Sequence, residues 1–256
     1  MKTLKLEELS WTEIRDAMDM GFRRVIIPVA SIEQHGYHLP ENTDTVLGEA
    51  AAVLTAQKLG HTLVAPAVRP GISPHHMAMP GSLTLRMETF RMVLEDYANC
   101  YLHHGFRSIV FLSSHGGNVR PCEEVAAAVG AAHPEAEILS VADVPTQEEL
   151  RALEAERGLA EGVNGGHADE RETSEMLSIV PELVRMDRAR PGYCKPLTPE
   201  LLGRFFSEGV VSLTDVGCIG DPTPATAEAG IWYREKAAEL LCQKIRSNSK
   251  FKQERE

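Results

Sequence analysis

The chain has 256 residues, 43% hydrophobic and 25% charged, which suits one large α/β domain, residues 1–256, and excludes the disordered and membrane-spanning classes. A formal net charge of −11 argues against nucleic-acid and anionic-membrane partners, since both need clustered Lys and Arg. Five scattered cysteines without a Cys-x-x-Cys spacing, and an N-terminus without a signal peptide's apolar segment, make a reduced, cytoplasmic protein the expectation.

Residues 10–20 predict a helix opened by a capping box of Ser10 and Glu13, with Trp11, Ile14 and Met18 on one face. The apolar run 25–30 predicts a buried strand, and the stretch 31–44 after it carries Glu33, His35, His38 and Asp44. Glu33 and His35 share parity, so an extended backbone points both the same way. Asp44 opens an Ala-rich helix over 45–59 that Gly60 closes, and from that start its carboxylate can reach a cation held by the other two. A mixed oxygen and nitrogen set suits zinc, manganese or iron(II) better than magnesium or calcium. Turn formers and caps are the plainer reading of the same residues.

A strand over 62–68 leads to a Pro- and Gly-punctuated loop, 71–83, too long for a simple connection; its Ser73, His75 and His76 are candidate substrate contacts. A helix over 86–104 precedes the clearest strand, 108–113, which runs into His115-Gly116-Gly117-Asn118 before a helix over 119–131. That turn reads either as an anion cradle at a helix N-terminus or as backbone approaching a metal-bound substrate with His115 as ligand. No Gly-x-x-x-x-Gly-Lys pattern supports a phosphate loop. A strand over 136–141 and a charged surface helix over 146–157 follow, then a Gly-rich turn, 162–166, feeding a helix with His167 at its mouth and Glu172 about one and a half turns in. By itself the acidic run 169–175 reads as a cap and a wet surface. Residues 181–207 read as irregular, 217–230 as a turn into a last helix reaching about 247, and 250–256 as a frayed tail.

Three strand-to-helix loops therefore carry Glu33, His35 and Asp44, then His115, then His167 and Glu172, and a parallel α/β fold gathers such loops at one edge. Through Ser31-Ile32-Glu33-Gln34-His35-Gly36, Leu39-Pro40, Thr43-Asp44, His115-Gly116-Gly117-Asn118, His167-Ala168 with Glu172-Thr173-Ser174, and Gly220-Asp221-Pro222, the sequence resembles the creatininase family. The resemblance implies a three-layer αβα fold with a mostly parallel central sheet, two divalent metal ions (zinc, manganese or iron), and a homohexamer acting on a small-molecule amide. It assigns Glu33 and His115 to one ion, His35 and Glu172 to the other and Asp44 between them, with His167 and Glu172 as the catalytic pair. Ser73, His76, Gly116, Gly117, Asn118 and His38 are the expected substrate-side residues.

The implied reaction is hydrolysis of a cyclic or formamide-type C–N bond by a water shared between the ions, with His167 passing a proton to the departing nitrogen. Gly116-Gly117 stands where the creatinine-hydrolysing branch has Tyr-Glu, and neither Trp11 nor Trp232 lies in the loop before His167, which argues against creatinine itself. A peptidase trimming a modified peptide precursor is the alternative within the family. A non-catalytic nucleotide- or anion-binding module using the Gly pairs is the alternative outside it.

Overall fold

The computed structural model describes residues 2–249. Helix α1 (Trp11–Asp19) starts at the Ser10 and Glu13 capping box, with both reciprocal bonds formed. The chain continues through β1 (Arg24–Val29), α2 (Thr43–Leu59), β2 (Thr62–Val64), α3 (Met87–His103), β3 (Ser108–Ser113), α4 (Val119–Ala132), β4 (Glu137–Ala142) and α5 (Gln147–Arg157). Then come β5 (Asn164–His167), α6 (Glu170–Ile179), α7 (Pro199–Glu208), β6 (Ile219–Gly220) and α8 (Ala227–Asn248).

Strands β2-β1-β3-β4 form a parallel sheet in that order, with Val25 opposite Leu63 and Ile109, and β1 and β3 are buried along their whole length. Burial on both faces follows from strand alternation. Val25, Ile27, Val29, Ile109 and Phe111 pack with Phe90 and Leu94 of α3 and Val125 of α4. Ile26, Val110 and Leu112 point the other way, onto Ala52 and Ala56 of α2 and Leu241 and Ile245 of α8. Two helical layers thus sandwich the sheet, the three-layer αβα architecture. Its carboxyl edge is where the loops after β1 and β3 begin.

Four local expectations change. The strand expected over 62–68 is regular only at Thr62–Val64, and Val68 rejoins the sheet as a single bridge to Val29. The Gly-rich turn is partly strand, because β5 pairs antiparallel with β6. Within 181–207, α7 forms behind a Thr198 hydroxyl cap with Pro199 in its first turn, where a missing N–H costs nothing. The acidic run is a cap, since Asp169 accepts from the Glu172 amide, but not a wet surface: Glu170 to Met176 are all buried. Helix α8 packs on α6, and the Tyr233 hydroxyl lies 2.6 Å from a Glu170 carboxylate oxygen. Residues 250–256 lie outside the described part, and among the described residues no helix is long and apolar enough to cross a membrane.

Candidate metal centre

The loop after β1 sends Glu33 and His35 inward together, both almost fully buried, and Gly36 then turns with φ 66°. Asp44 enters from the first turn of α2, His115 from the end of β3, and Glu172 from α6. The imidazoles are oriented from behind. His35 donates through Nδ1 to the Glu33 carbonyl (3.0 Å), and His115 through Nε2 to the Ile72 carbonyl (3.0 Å). Each keeps one lone pair for the interior.

Those lone pairs converge on one carboxylate. His35 Nε2 lies 3.2 Å from Asp44 Oδ1 and 3.8 Å from Glu172 Oε2, while His115 Nδ1 lies 3.3 Å from Asp44 Oδ2 and 3.2 Å from Glu33 Oε1. Among the described residues, His35 Nε2 and Asp44 Oδ2 are buried without a hydrogen-bond partner. Such orphaned atoms are costly unless a further group binds there. Glu33, His35 and Asp44 present ligand atoms within 4.8 Å of one another, as do His35, His167 and Glu172. The donor set, carboxylate oxygen with imidazole nitrogen, fits a divalent transition metal.

Electrostatics point the same way. Burial alone would lower His35, but the Asp44 charge, with Glu172 and Glu33 behind it, raises it to about 10. His115 is likewise carried well above the imidazole range against burial, by Glu33 and Asp44. Burial pushes Glu172 up to about 7, opposed by His35 and Arg171. The pocket calls for positive charge, which protons supply when no cation does.

His167, at the end of β5, is different. Burial first, and then the neighbouring His35 and His76, hold it well below the usual imidazole range. Gln34 reaches it from two sides: the Gln34 carbonyl lies 3.0 Å from His167 Nε2, and the Gln34 side-chain nitrogen lies 2.9 Å from both His76 Nδ1 and His167 Nε2 and 3.2 Å from the Gly217 carbonyl. The assignment that satisfies these groups has His167 Nε2–H donating to the Gln34 carbonyl while the Gln34 amide donates to His76 and Gly217. His167 Nδ1 is then a free lone pair, 3.8 Å from Glu33 Oε1.

Glu172 is fixed by Ala168, whose N–H donates to Oε2 (2.7 Å), and by Arg171, whose Nη2 lies 3.3 Å from Oε1. Ala168 adopts φ 51° to aim that N–H, an uncommon conformation for a residue with a Cβ and a form of strain found at sites.

The expected substrate-side residues are placed unevenly. Gly116 lines a cleft of about 30 Å³ with Glu33, Asp44, His115, His167 and Glu172. A Cβ on Gly117 would overlap the Ile72 carbonyl oxygen, so glycine is needed there for close packing. Asn118 spends its side chain on the Ile72 N–H (2.9 Å) and the Ala30 carbonyl (3.0 Å), tying the 71–83 loop to the end of β1. Ser73 sits between Ser31 and His115 Nε2, 3.2 Å from the latter. His76 Nε2 lies 3.3 Å from Glu33 Oε1, inside the cluster. His75 stacks parallel to His115 beneath Phe205 and Phe206 of α7. His38 is buried against the Thr173 hydroxyl (2.8 Å), and burial lowers it to about 4.

Gln34 and Arg171 were not singled out from the sequence. Gln34 has the wrong parity for an inward residue, and Arg171 resembled one more charge in a surface run.

The chain is similar to known proteins in sequence and in fold. The creatininase family profile, described as creatinine amidohydrolase, matches residues 7–245. The mycofactocin precursor peptide peptidase of Mycolicibacterium smegmatis is 34% identical over 213 residues, covering 80% of this chain and 77% of its own. The creatinine amidohydrolase of Pseudomonas putida is 28% identical over 200 residues, covering 73% and 76%. A crystal structure of creatinine amidohydrolase superposes with a TM-score of 0.84 at 21% identity, covering 98% of this chain and all of that one; other creatininase structures include manganese and zinc–zinc forms. With the profile spanning nearly the whole described chain and the fold agreeing throughout, the chain belongs to the creatininase family.

Proposed function

We propose that the chain is a metal-dependent hydrolase that cleaves an amide C–N bond at a centre holding two divalent ions. One observation carries this reading: the two Asp44 oxygens face His35 Nε2 and His115 Nδ1, one oxygen to each nitrogen, as a carboxylate shared by two cations would. In it Glu33, Asp44 and His115 hold one ion, and His35, Asp44 and Glu172 the other. Bound there, zinc, manganese or iron would supply Lewis acidity and lower the pKa of water.

The chain's own residues do the rest. His167 Nδ1 can take a proton from the attacking water and return it to the departing nitrogen, because its other nitrogen is held by Gln34. Gly116, at the mouth of the cleft, lets a substrate carbonyl approach closely. Three converging carboxylates make the cleft hostile to phosphate, which removes support from the nucleotide- or anion-binding alternative.

The family resemblance read from the sequence ranks a cyclic or formamide-type amide above a modified peptide precursor. The peptidase relatives at 34% identity, set beside 28% for the creatinine amidohydrolase, favour the reverse order, and the peptide precursor becomes the leading substrate class. A homohexamer remains part of the proposal on family grounds, and a cytoplasmic location on the five scattered cysteines. The test is removal of metal by chelator, assay of a panel of short peptides, N-formyl amides and cyclic amides, and readdition of zinc, manganese or iron. Turnover lost and then restored by one of these supports the reading. Turnover indifferent to metal refutes it.

A further inference from the structure

The catalytic cleft, at about 30 Å³, has room for a few waters but not for an organic substrate. Beside it lies a cavity of about 280 Å³, close to the lower end of small-ligand pockets. Asp143, Val144 and Arg171 line both, so the two spaces are separated by little more than these side chains. The cavity sits where β4 ends, between α5 and α8, at the carboxyl edge of the sheet where α/β folds take their ligands. Its walls are largely apolar, including Pro145, Leu153, Tyr233, Ala237 and Leu240.

We propose that this cavity seats the apolar side chain of the amine half of the substrate, the half that leaves when the amide is cut. The proposal rests on the hydrolase reading above and adds a substrate class to it: amides whose nitrogen carries a bulky apolar group. In hydrolysis the water oxygen bonds to the acyl carbon, the C–N bond breaks with its electron pair going to nitrogen, and both protons of the water end on that nitrogen, leaving a carboxylate and an ammonium. The dividing wall selects between these products. With Glu172 given to the ion, Asp143 and Glu175 still stand against the single guanidinium of Arg171, which is already engaged by Glu175 (2.9 Å). The two lysines that line the cavity are matched, Lys236 by Glu156 and Lys244 by Glu149. A wall with surplus carboxylate favours an ammonium over a second carboxylate.

The experiment fills the cavity from α8. Ala237→Trp and the milder Ala237→Leu are compared with the wild type for binding of 2-phenylethylamine by calorimetry. Turnover is compared for N-(2-phenylethyl)formamide and N-methylformamide, with metal content and thermal midpoint as checks on the fold. The wild type is expected to bind the amine. Ala237→Trp should weaken that binding at least tenfold and Ala237→Leu by a smaller factor, with KM for any cleaved bulky amide rising in step and the small amide unaffected. Amine binding that is absent in the wild type, or equal in all three proteins, overturns the proposal. Amine binding lost on filling, in a protein that cleaves no amide, keeps the cavity and sinks the hydrolase reading; cleavage with unchanged amine binding does the opposite. Should Ala237→Trp fail to fold, Ala237→Leu carries the comparison.

Discussion

Asp44 meets His35 at 3.2 Å, Oδ1 against Nε2, at the point where the first turn of α2 closes over the end of β1. Its other oxygen is turned to His115. Asp44→Asn keeps the shape but replaces one ligand oxygen by an NH2 group that repels a cation. Bound metal is expected to fall from about two equivalents per chain to less than one, with turnover down more than about 100-fold. Elemental analysis of the folded variant checks it; full metal content would remove Asp44 from the centre.

His167→Ala is expected to keep the metals and lose about 10²- to 10⁴-fold in turnover, the range for a positioned proton-transfer group. The reason is its held-down basicity and its Nε2, which is committed to Gln34 rather than to the cluster. Metal lost along with activity would make His167 a ligand instead.

Gln34→Leu keeps the backbone carbonyl that holds His167 and removes the side-chain amide that donates to the neighbouring His76 and to Gly217. The amide nitrogen of Gln34 lies 2.9 Å from both His76 Nδ1 and His167 Nε2, and Leu has nearly the same bulk with no donor. Partners of this kind are worth about 10- to 100-fold when lost, so turnover should fall by that factor with metal content kept. Gln34→Glu, which restores an oxygen but not the donor, should not rescue it.

The inward pair Glu33 and His35 was legible because the run before them is unmistakably a buried strand, and parity holds while the backbone stays extended. His115 was legible for the same reason, at the end of β3. Gln34 lies between those two ligands and by parity should point away. It is nonetheless 3% exposed, because the loop that follows curls under the 71–83 segment and brings His76 to it. Arg171, Asp169 and Glu175 read as a solvated run because nothing local says that α8 lies across them, whereas Glu172 is marked out by the family resemblance. That burial is a tertiary fact, set by the packing of α8 on α6. Helix α7 was hidden by the prolines around it, although Thr198-Pro199 is itself a helix-start signal.

The metal-free protein should show a pH signature. His35 has a folded pKa of about 10, raised by Asp44, Glu172 and Glu33 against burial, whereas an unfolded histidine titrates near about 6.5. Between these values the folded state holds the extra proton, so this contribution is complete below about pH 6.5 and is lost as pH rises toward 10. The thermal midpoint of chelated protein should therefore fall across that window, and fall less when metal occupies the lone pair. A flat profile in both forms would show that His35 does not carry the proton in the folded metal-free chain.

Glu172 depends on how closely α8 approaches α6. Gly230, in the first turns of α8, faces the backbone of α6 so tightly that a Cβ would overlap the Ser174 carbonyl oxygen, and the Thr226 N–H nearby donates to the Ser174 hydroxyl (3.1 Å). The atoms that a Cβ would meet are backbone atoms of Ser174 and Glu175, which cannot step aside for a methyl group, so the helices must separate. Overpacking of this kind costs about 1–3 kcal/mol, which lowers the midpoint of a chain this long by roughly 2–12 °C. Gly230→Ala should show that loss by thermal denaturation. Because Ser174 is two residues from Glu172 on the same helix, the displaced helix should also weaken binding of the ion that His35 and Glu172 share more than that of the ion held by Glu33 and His115. Equal weakening of both would mean that α6 moves as a unit with the sheet edge rather than against it.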